Sequence, residues 1–215
     1  MVHGRDQGYN SMKILVACEY SGIVRDAFAK QGHDAWSCDI LPTESEGNHI
    51  QDDILNHLDK NWDMMIAHPP CTYLSNAGNR WFDEEKYGEQ ARERKELRLK
   101  SMEFVKKLYD NNIPRICIEN PVGFLNSNWK KPDQIVHPYH FGDTESKRTC
   151  LWLKNLQLLE HTNVVKPKIY GYHKGGKHKG KPIYFHEYQL RTKNRAKIRS
   201  KFWKGIAQAM ADQWI

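Results

Sequence analysis

Long apolar runs are missing from this 215-residue chain. No window of about 18 consecutive apolar residues occurs, which excludes a transmembrane helix. Residues 1–11 also lack the apolar stretch of a secretory signal and read as a polar, flexible leader, 1–12. Cysteine is sparse, with five residues at 18, 38, 71, 117 and 150. The number is odd and no Cys-x-x-Cys occurs, so a disulfide framework and a zinc knuckle are both excluded, and reduced thiols in a cytoplasmic protein are expected. The Gly-x-Gly-x-x-Gly dinucleotide fingerprint is absent too. Histidines at 137, 140, 173, 178 and 186 lack a cysteine or carboxylate partner at ligand spacing, so they imply no metal site. Internal repeats are absent, and nothing sets an oligomeric state.

Acids nearly vanish from one part of the chain. Between Leu153 and Lys204 stand fourteen Lys and Arg against Glu160 and Glu187, a surplus of 12; with a net charge of +7 for the whole chain, the remainder carries −5. Tyr170, Tyr172, Tyr184, Phe185, Tyr188 and Trp203 are interleaved with those cations. Concentrated positive charge with stackable rings suits a polyanion that carries bases, and therefore nucleic acid. Lys174, Lys177, Lys179, Lys181 and Arg191 are its candidate contacts, in a Gly-, Lys- and His-rich segment, Tyr170–Lys181, that reads as a mobile loop.

What is present upstream is a β/α alternation. Lys13–Cys18 is a short continuous apolar run, the pattern of a parallel strand buried on both faces. A turn follows at Glu19-Tyr20-Ser21-Gly22, then a helix with Ile23, Val24, Ala27 and Phe28 on one face and Gly32 as its terminator. Further strands are expected over Ala35–Asp39, Asp63–Ala67, Arg115–Glu119, Thr149–Leu153 and Pro182–Phe185. One long charged helix is expected within Asp83–Asp110, with Leu97, Ser101, Phe104, Val105 and Leu108 as its stripe. A helix over Lys201–Trp214 closes the chain on Trp203, Ile206, Ala207, Met210 and Trp214. This alternation predicts an α/β fold with a doubly wound, mostly parallel sheet and a small basic C-terminal insertion. The division expected is a core over 13–152, a basic region over 153–200 and a C-terminal helix over 201–215.

In such sheets ligands bind beyond the carboxyl ends of strands. Cys18–Gly22, Asp39, Asp53, Pro70–Cys71 and Glu119–Asn120 all fall at such ends. The turn after the first strand suits a nucleoside-containing cofactor, with backbone amides and the helix N-terminus meeting its polar end. Asp39 is placed to accept hydrogen bonds from ribose hydroxyls. Cys71 differs from the other cysteines because Pro69 and Pro70 fix the backbone before it while Thr72, Ser75 and Asn76 after it favour exposure. A thiolate there is a candidate nucleophile. Glu119 follows the apolar Ile116-Cys117-Ile118, so burial is expected to raise its pKa and keep it protonated or proton-sharing. A soft nucleophile and a carboxyl donor are the groups needed to attack carbon 6 of an extruded pyrimidine and hold its N3 edge. Arg148, in Lys147-Arg148-Thr149, offers a guanidinium for the base's carbonyl oxygen.

With these residues assembled, the chain resembles the DNA (cytosine-5)-methyltransferases, and among them the small members of phage or prophage type. Pro69-Pro70-Cys71-Thr72-Tyr73-Leu74-Ser75-Asn76-Ala77-Gly78 follows the family's Pro-Cys motif and its trailing Ser-x-Ala-Gly. Glu119-Asn120-Pro121 stands where the family has Glu-Asn-Val, and Gly205–Met210 is similar to its C-terminal segment. Cys18-Glu19-Tyr20-Ser21-Gly22 replaces the usual Phe-x-Gly-x-Gly. The resemblance implies a methyltransferase-type sheet and S-adenosylmethionine, or a modified form of it, as cofactor. It also implies Cys71, Glu119 and Arg148 as catalytic residues and a reduced target-recognition role for 153–200. The cofactor wall it implies is Cys18, Glu19, Tyr20, Ser21, Gly22, Asp39, Ile40, Asp53, Ile54, His68 and Pro70, with Ser75 and Asn76 facing DNA. Alternatives on the same residues are a catalytically inactive nucleic-acid-binding protein, an enzyme acting on RNA or a nucleotide, and transfer of a group larger than methyl.

Overall fold

A computed structural model describes residues 11–188 and 201–215. Its centre is β1 (Lys13–Ala17), in which Ile14, Leu15, Val16 and Ala17 have no exposed surface. Alternate residues of a strand point to opposite faces, so an unbroken apolar run requires cover on both. Ile14 and Val16 join one core with Met64, Ile66 and Cys117, while Leu15 and Ala17 join a second with Met65, Ala67, Ile116 and Ile118.

The other strands of the main sheet are β2 (Asp34–Asp39), β3 (His49–Gln51), β4 (Met64–Ala67), β5 (Arg115–Pro121), β6 (Gln134–Val136) and β7 (Thr149–Lys154). Their spatial order is β3-β2-β1-β4-β5-β7-β6. All pairings are parallel except those of β7 with β5 and β6. From β1 the chain winds outward through β2 and β3, then returns to build the other half from β4. The reversal opens a crevice between the carboxyl ends of β1 and β4, where doubly wound sheets take ligands.

Helices cover the two faces. Helix α1 (Ile23–Lys30) buries Val24, Ala27 and Phe28 and ends in a Schellman arrangement, with Gly32 N–H donating to Ala29 O and His33 N–H to Phe28 O. A short helix, α2 (Glu84–Tyr87), precedes α3 (Glu89–Tyr109), which covers the opposite face with Met102, Val105 and Leu108. A single turn of helix, α4 (Phe124–Asn128), follows β5. Beyond β7 come a small hairpin of β8 (Gly171–Tyr172) and β9 (Pro182–Ile183), helix α5 (Phe185–Tyr188), and the closing helix α6 (Lys204–Gln213). Helix α6 lies beside α1, and its Ile206, Ala207 and Met210 join the same core.

Three features depart from the sequence reading, while the helix expected within 83–110 is present as α3, set off from the short α2 by Gly88, where φ is +50°. Leu97 does not belong to its buried stripe but is 38% exposed and, with Ser101 and Phe104, lines the crevice. The strand expected over 182–185 stops at Ile183. The segment expected as a mobile loop is a hydrogen-bonded hairpin, in which Tyr172 pairs with Pro182. Residues 1–10 of the expected leader and 189–200 of the basic region lie outside the described residues.

Burial holds His33, His137 and His140 below the usual histidine value of 6.5. The unfolded chain therefore binds more protons than the folded one as pH falls through that range. The stability these groups confer is complete above pH 6.5 and is lost as pH drops through their depressed folded values. The melting temperature is expected to hold from pH 7.5 to about pH 6.5 and to fall from there to pH 5, read by a thermal melt monitored by circular dichroism. A flat profile over that interval would contradict this ionisation scheme.

Candidate active site

Strand β4 delivers the chain into His68-Pro69-Pro70-Cys71. Prolines lack a ladder donor and fix φ, so pairing with β1 ends at the amide of His68, which donates to Ala17 O at 2.9 Å. Past them the backbone turns, and the amides of Leu74 and Ser75 both donate to Cys71 O, at 3.1 and 2.9 Å. The turn is zipped to the segment after β5 by Phe124 N–H to Leu74 O at 2.7 Å. Gly123 permits that approach, because a Cβ there would collide with the Leu74 carbonyl.

The result is an exposed Cys71 in a chain whose other cysteines are buried or half-buried. Burial pushes all four of those thiols up: Cys38 to about 11, with Asp52 adding to the effect, and Cys18, Cys117 and Cys150 in the same direction. They are too poorly ionised to act as nucleophiles. Cys71 is set apart by position.

Strand β5 supplies two side chains to the same place. Asn120, 1% exposed, donates from Nδ2 to Pro69 O at 2.8 Å and so pins the Pro-Pro turn to the neighbouring strand. Glu119, 8% exposed, contacts His68, whose Nδ1 lies 3.1 Å from Glu119 Oε2. The His68 ring packs on Phe202, with centroids 4.5 Å apart. His68 Nε2 and Asn120 Oδ1 are buried, and neither has a hydrogen-bond partner among the described residues. These two atoms sit at the ends of the strands that flank the Cys71 turn.

The expected ionisation of Glu119 is overturned. Burial does push its carboxyl upward, but the His68 hydrogen bond and the charges of Lys147 and His68 outweigh it and hold the pKa below the usual carboxylate value. The cation acting on Glu119 is therefore Lys147. Arg148 is exposed on the cleft wall. Strand parity gives the reason: extending β7 backward puts Lys147 on the face of Thr149 and Leu151, which is the face of their β5 neighbour Glu119.

The loop after β1 has an unusual backbone. Cys18 adopts φ +58°, a costly conformation for a residue with a side chain, and it sits at the crevice. The N-terminus of α1 is already occupied, since Glu19 accepts from Val24 N–H at 2.7 Å and from Arg25 N–H at 3.2 Å. An anionic ligand group would have to displace this carboxylate, so the expected meeting of a cofactor with the helix N-terminus is corrected. Gly22 lies off the cleft wall; a Cβ there would strike Ser45 and the Arg25 guanidinium. Arg25, 1% exposed, binds Ser45, Glu46 O and Asp26, which holds down the loop between β2 and β3.

These ends surround one cleft of about 2020 Å³. Its wall includes Cys18, Glu19, Tyr20, Ser21, Asp39, Ile40, Asp53 and Ile54 on one side and His68, Pro70, Cys71, Ser75, Asn76, Lys147 and Arg148 on the other. Asp39 spends one oxygen on Leu41 N–H at 2.9 Å, and Asp53 one on Leu55 N–H at 3.0 Å. Glu119 is not itself on the wall and is joined to it through His68. Lys174, Lys177, Lys179 and Lys181 are exposed on the β8–β9 hairpin, off the wall, whereas Tyr184 and Glu187 beside the hairpin reach it. Arg191 lies outside the described residues.

Sequence reasoning missed the pinning role of Asn120, the Glu119 partnership of His68, and Lys147, Phe202 and Arg25. Strand parity was a usable signal for Lys147; the others depend on contacts between distant segments. Among the described residues no group of three His, Cys, Asp or Glu could hold a metal ion, and no helix is long and apolar enough to cross a membrane. Comparison of the chain with protein-family models and with curated proteins finds no match.

Replacing Asn120 with Ala leaves the buried Pro69 carbonyl unpaired, which costs about 1–3 kcal/mol. Urea unfolding of Asn120→Ala is expected to show a loss of that size. An unchanged midpoint and slope would mean that the turn does not depend on this bond.

Proposed function

We propose that the chain is a DNA (cytosine-5)-methyltransferase that uses S-adenosylmethionine. One observation carries the reading: a single cleft holds an exposed thiol, Cys71, on a stiff turn that Asn120 ties to the strand end bearing Glu119. Carbon 5 of cytosine is a poor nucleophile until something adds at carbon 6. Cys71, as thiolate, forms the sulfur–carbon 6 bond, and the displaced π electrons enrich carbon 5. The Glu119 and His68 pair holds the N3 edge, where negative charge would otherwise build. Once carbon 5 bears the methyl group, a base takes its proton, the carbon 5–carbon 6 double bond re-forms and Cys71 leaves as thiolate.

Because Glu119 is held ionised, a proton at N3 has to be carried by the pair rather than by Glu119 alone. His68, 3.1 Å from Glu119 through Nδ1, is the other member of that pair. Its ring stands between Glu119 and the cleft, so base entry must shift His68 or turn the carboxyl past it.

The opposite wall fits a nucleoside cofactor. Asp39 keeps an oxygen outside its turn bond for ribose hydroxyls, and Ile40, 73% exposed, offers apolar cover for a purine. Asp39, Asp53 and Glu19 make this side negative, which suits a sulfonium. S-adenosylmethionine bound there supplies an electrophilic methyl group. A volume of about 2020 Å³ exceeds the roughly 300–1,000 Å³ of a pocket for one small ligand, as two reactants require. The seven-stranded, doubly wound sheet supports the fold that the family resemblance implies, and the exposed lysines of the hairpin support a polyanionic partner.

Nucleoside mass spectrometry of DNA from cells expressing the protein tests the proposal. The expected product is 5-methylcytosine with the wild-type chain and none with Cys71→Ser. A heavier group at carbon 5 would identify a modified cofactor. Unmodified DNA, or equal modification by Cys71→Ser, would refute the assignment.

A further inference from the structure

The segment that follows the Cys71 turn carries a feature the reaction does not use. Residues Asn76–Phe82 form a 3₁₀ stretch at the rim of the cleft, and its last two rings are treated in opposite ways. Phe82 is clamped: the Arg98 guanidinium lies over it at 3.3 Å and Arg94 at 5.3 Å. Arg98 also donates to Tyr73 O and Asn79 Oδ1, both at 2.8 Å, so the stretch is fastened to α3. Trp81, next in line, is turned out and 40% exposed.

Trp81 is also held in one pose. Tyr87 packs on it with centroids 5.0 Å apart, and the Arg80 guanidinium covers it at 4.7 Å. Arg80 is itself part of the cleft wall, so this aromatic surface adjoins the mouth beside Cys71. Of the nearby acids, Asp83 caps α2 and Glu84 is paired with Arg92 and Lys95, while Glu85 stays exposed on α2. A rigid, exposed indole with a guanidinium on it, at the rim of a site for a nucleotide, is a stacking platform.

We infer that Trp81 and Arg80 form a binding site for the base next to the target, stacking it as the strand enters the cleft. The inference rests on the nucleic-acid reading above and adds to it a specific subsite. A base taken out of a duplex leaves its neighbour unstacked, and an aromatic surface at the rim compensates for that loss. Stacking reads no base edge, so the site is indifferent to the identity of the neighbouring base.

Fluorescence anisotropy with a labelled cytosine-containing DNA strand tests it, alone and paired. Trp81→Gln is expected to weaken binding about tenfold with an unchanged salt slope, since a ring and not a cation is lost. Trp81→Phe keeps a ring and should stay within about threefold of wild type. The discriminating arm removes one base of the DNA at a time. An abasic site beside the target cytosine should weaken the wild-type complex about tenfold and the Trp81→Gln complex no further. Additive losses, or wild-type affinity in a folded Trp81→Gln, would overturn the platform while leaving the Cys71 chemistry untouched. Absence of binding by the wild-type chain to any strand would overturn both.

Discussion

The bond from Asn120 Nδ2 to Pro69 O is the constraint on which the site depends. It joins the ends of two adjacent parallel strands at the level where both leave the sheet. Prolines at 69 and 70 stop the turn from pairing as a strand; Phe124 N–H to Leu74 O ties its far end, and the Asn120 bond ties the end at the prolines. With the tie, the cysteine at the turn's outer edge and the carboxylate beside Asn120 become parts of one rigid piece. Catalytic groups must be held to within a fraction of an ångström, and strand ends of a fully buried sheet serve that purpose better than a free loop.

The same strand end decides the electrostatics. A carboxylate as buried as Glu119 would ordinarily gain a proton. His68 and Lys147 reverse that outcome, one by direct hydrogen bond and the other by charge. The site is therefore a buried ion held by two cations or proton carriers, not a neutral acid. This arrangement ties Glu119 to the cleft through the His68 ring. In the proposed reaction the acid function belongs to the pair, and the cost of burying Glu119 ionised is met by partners already in place.

The fold was largely legible because its central strands are buried on both faces. Ile14–Ala17 and Met64–Ala67 are unbroken apolar runs for that reason, and few other structures produce such short runs between helical patterns. The position of Cys71 was legible from two prolines. Less was readable where one residue interrupts a pattern or where segments far apart meet. Gly88 fixes where the long helix starts within the span its composition marked, and Leu97 turns to the cleft because the crevice, not the core, lies under that face of α3. The ionisation of Glu119 depends on His68, 51 residues earlier, and on Lys147, so no local run could reveal it. Glu19 lines the cleft and also caps α1, a second use that appears only when the loop and helix are seen together.

The central claim is that Cys71 is a nucleophile aimed at carbon 6 of a cytosine. A DNA strand carrying 5-fluorocytosine tests it most directly, since fluorine cannot leave as the proton does and the adduct is trapped. With S-adenosylmethionine present, intact mass spectrometry should show the protein heavier by the oligonucleotide and one methyl group, and peptide mapping should locate the bond at Cys71. A protein that stays at its own mass, or an adduct that persists in Cys71→Ser, would contradict the account.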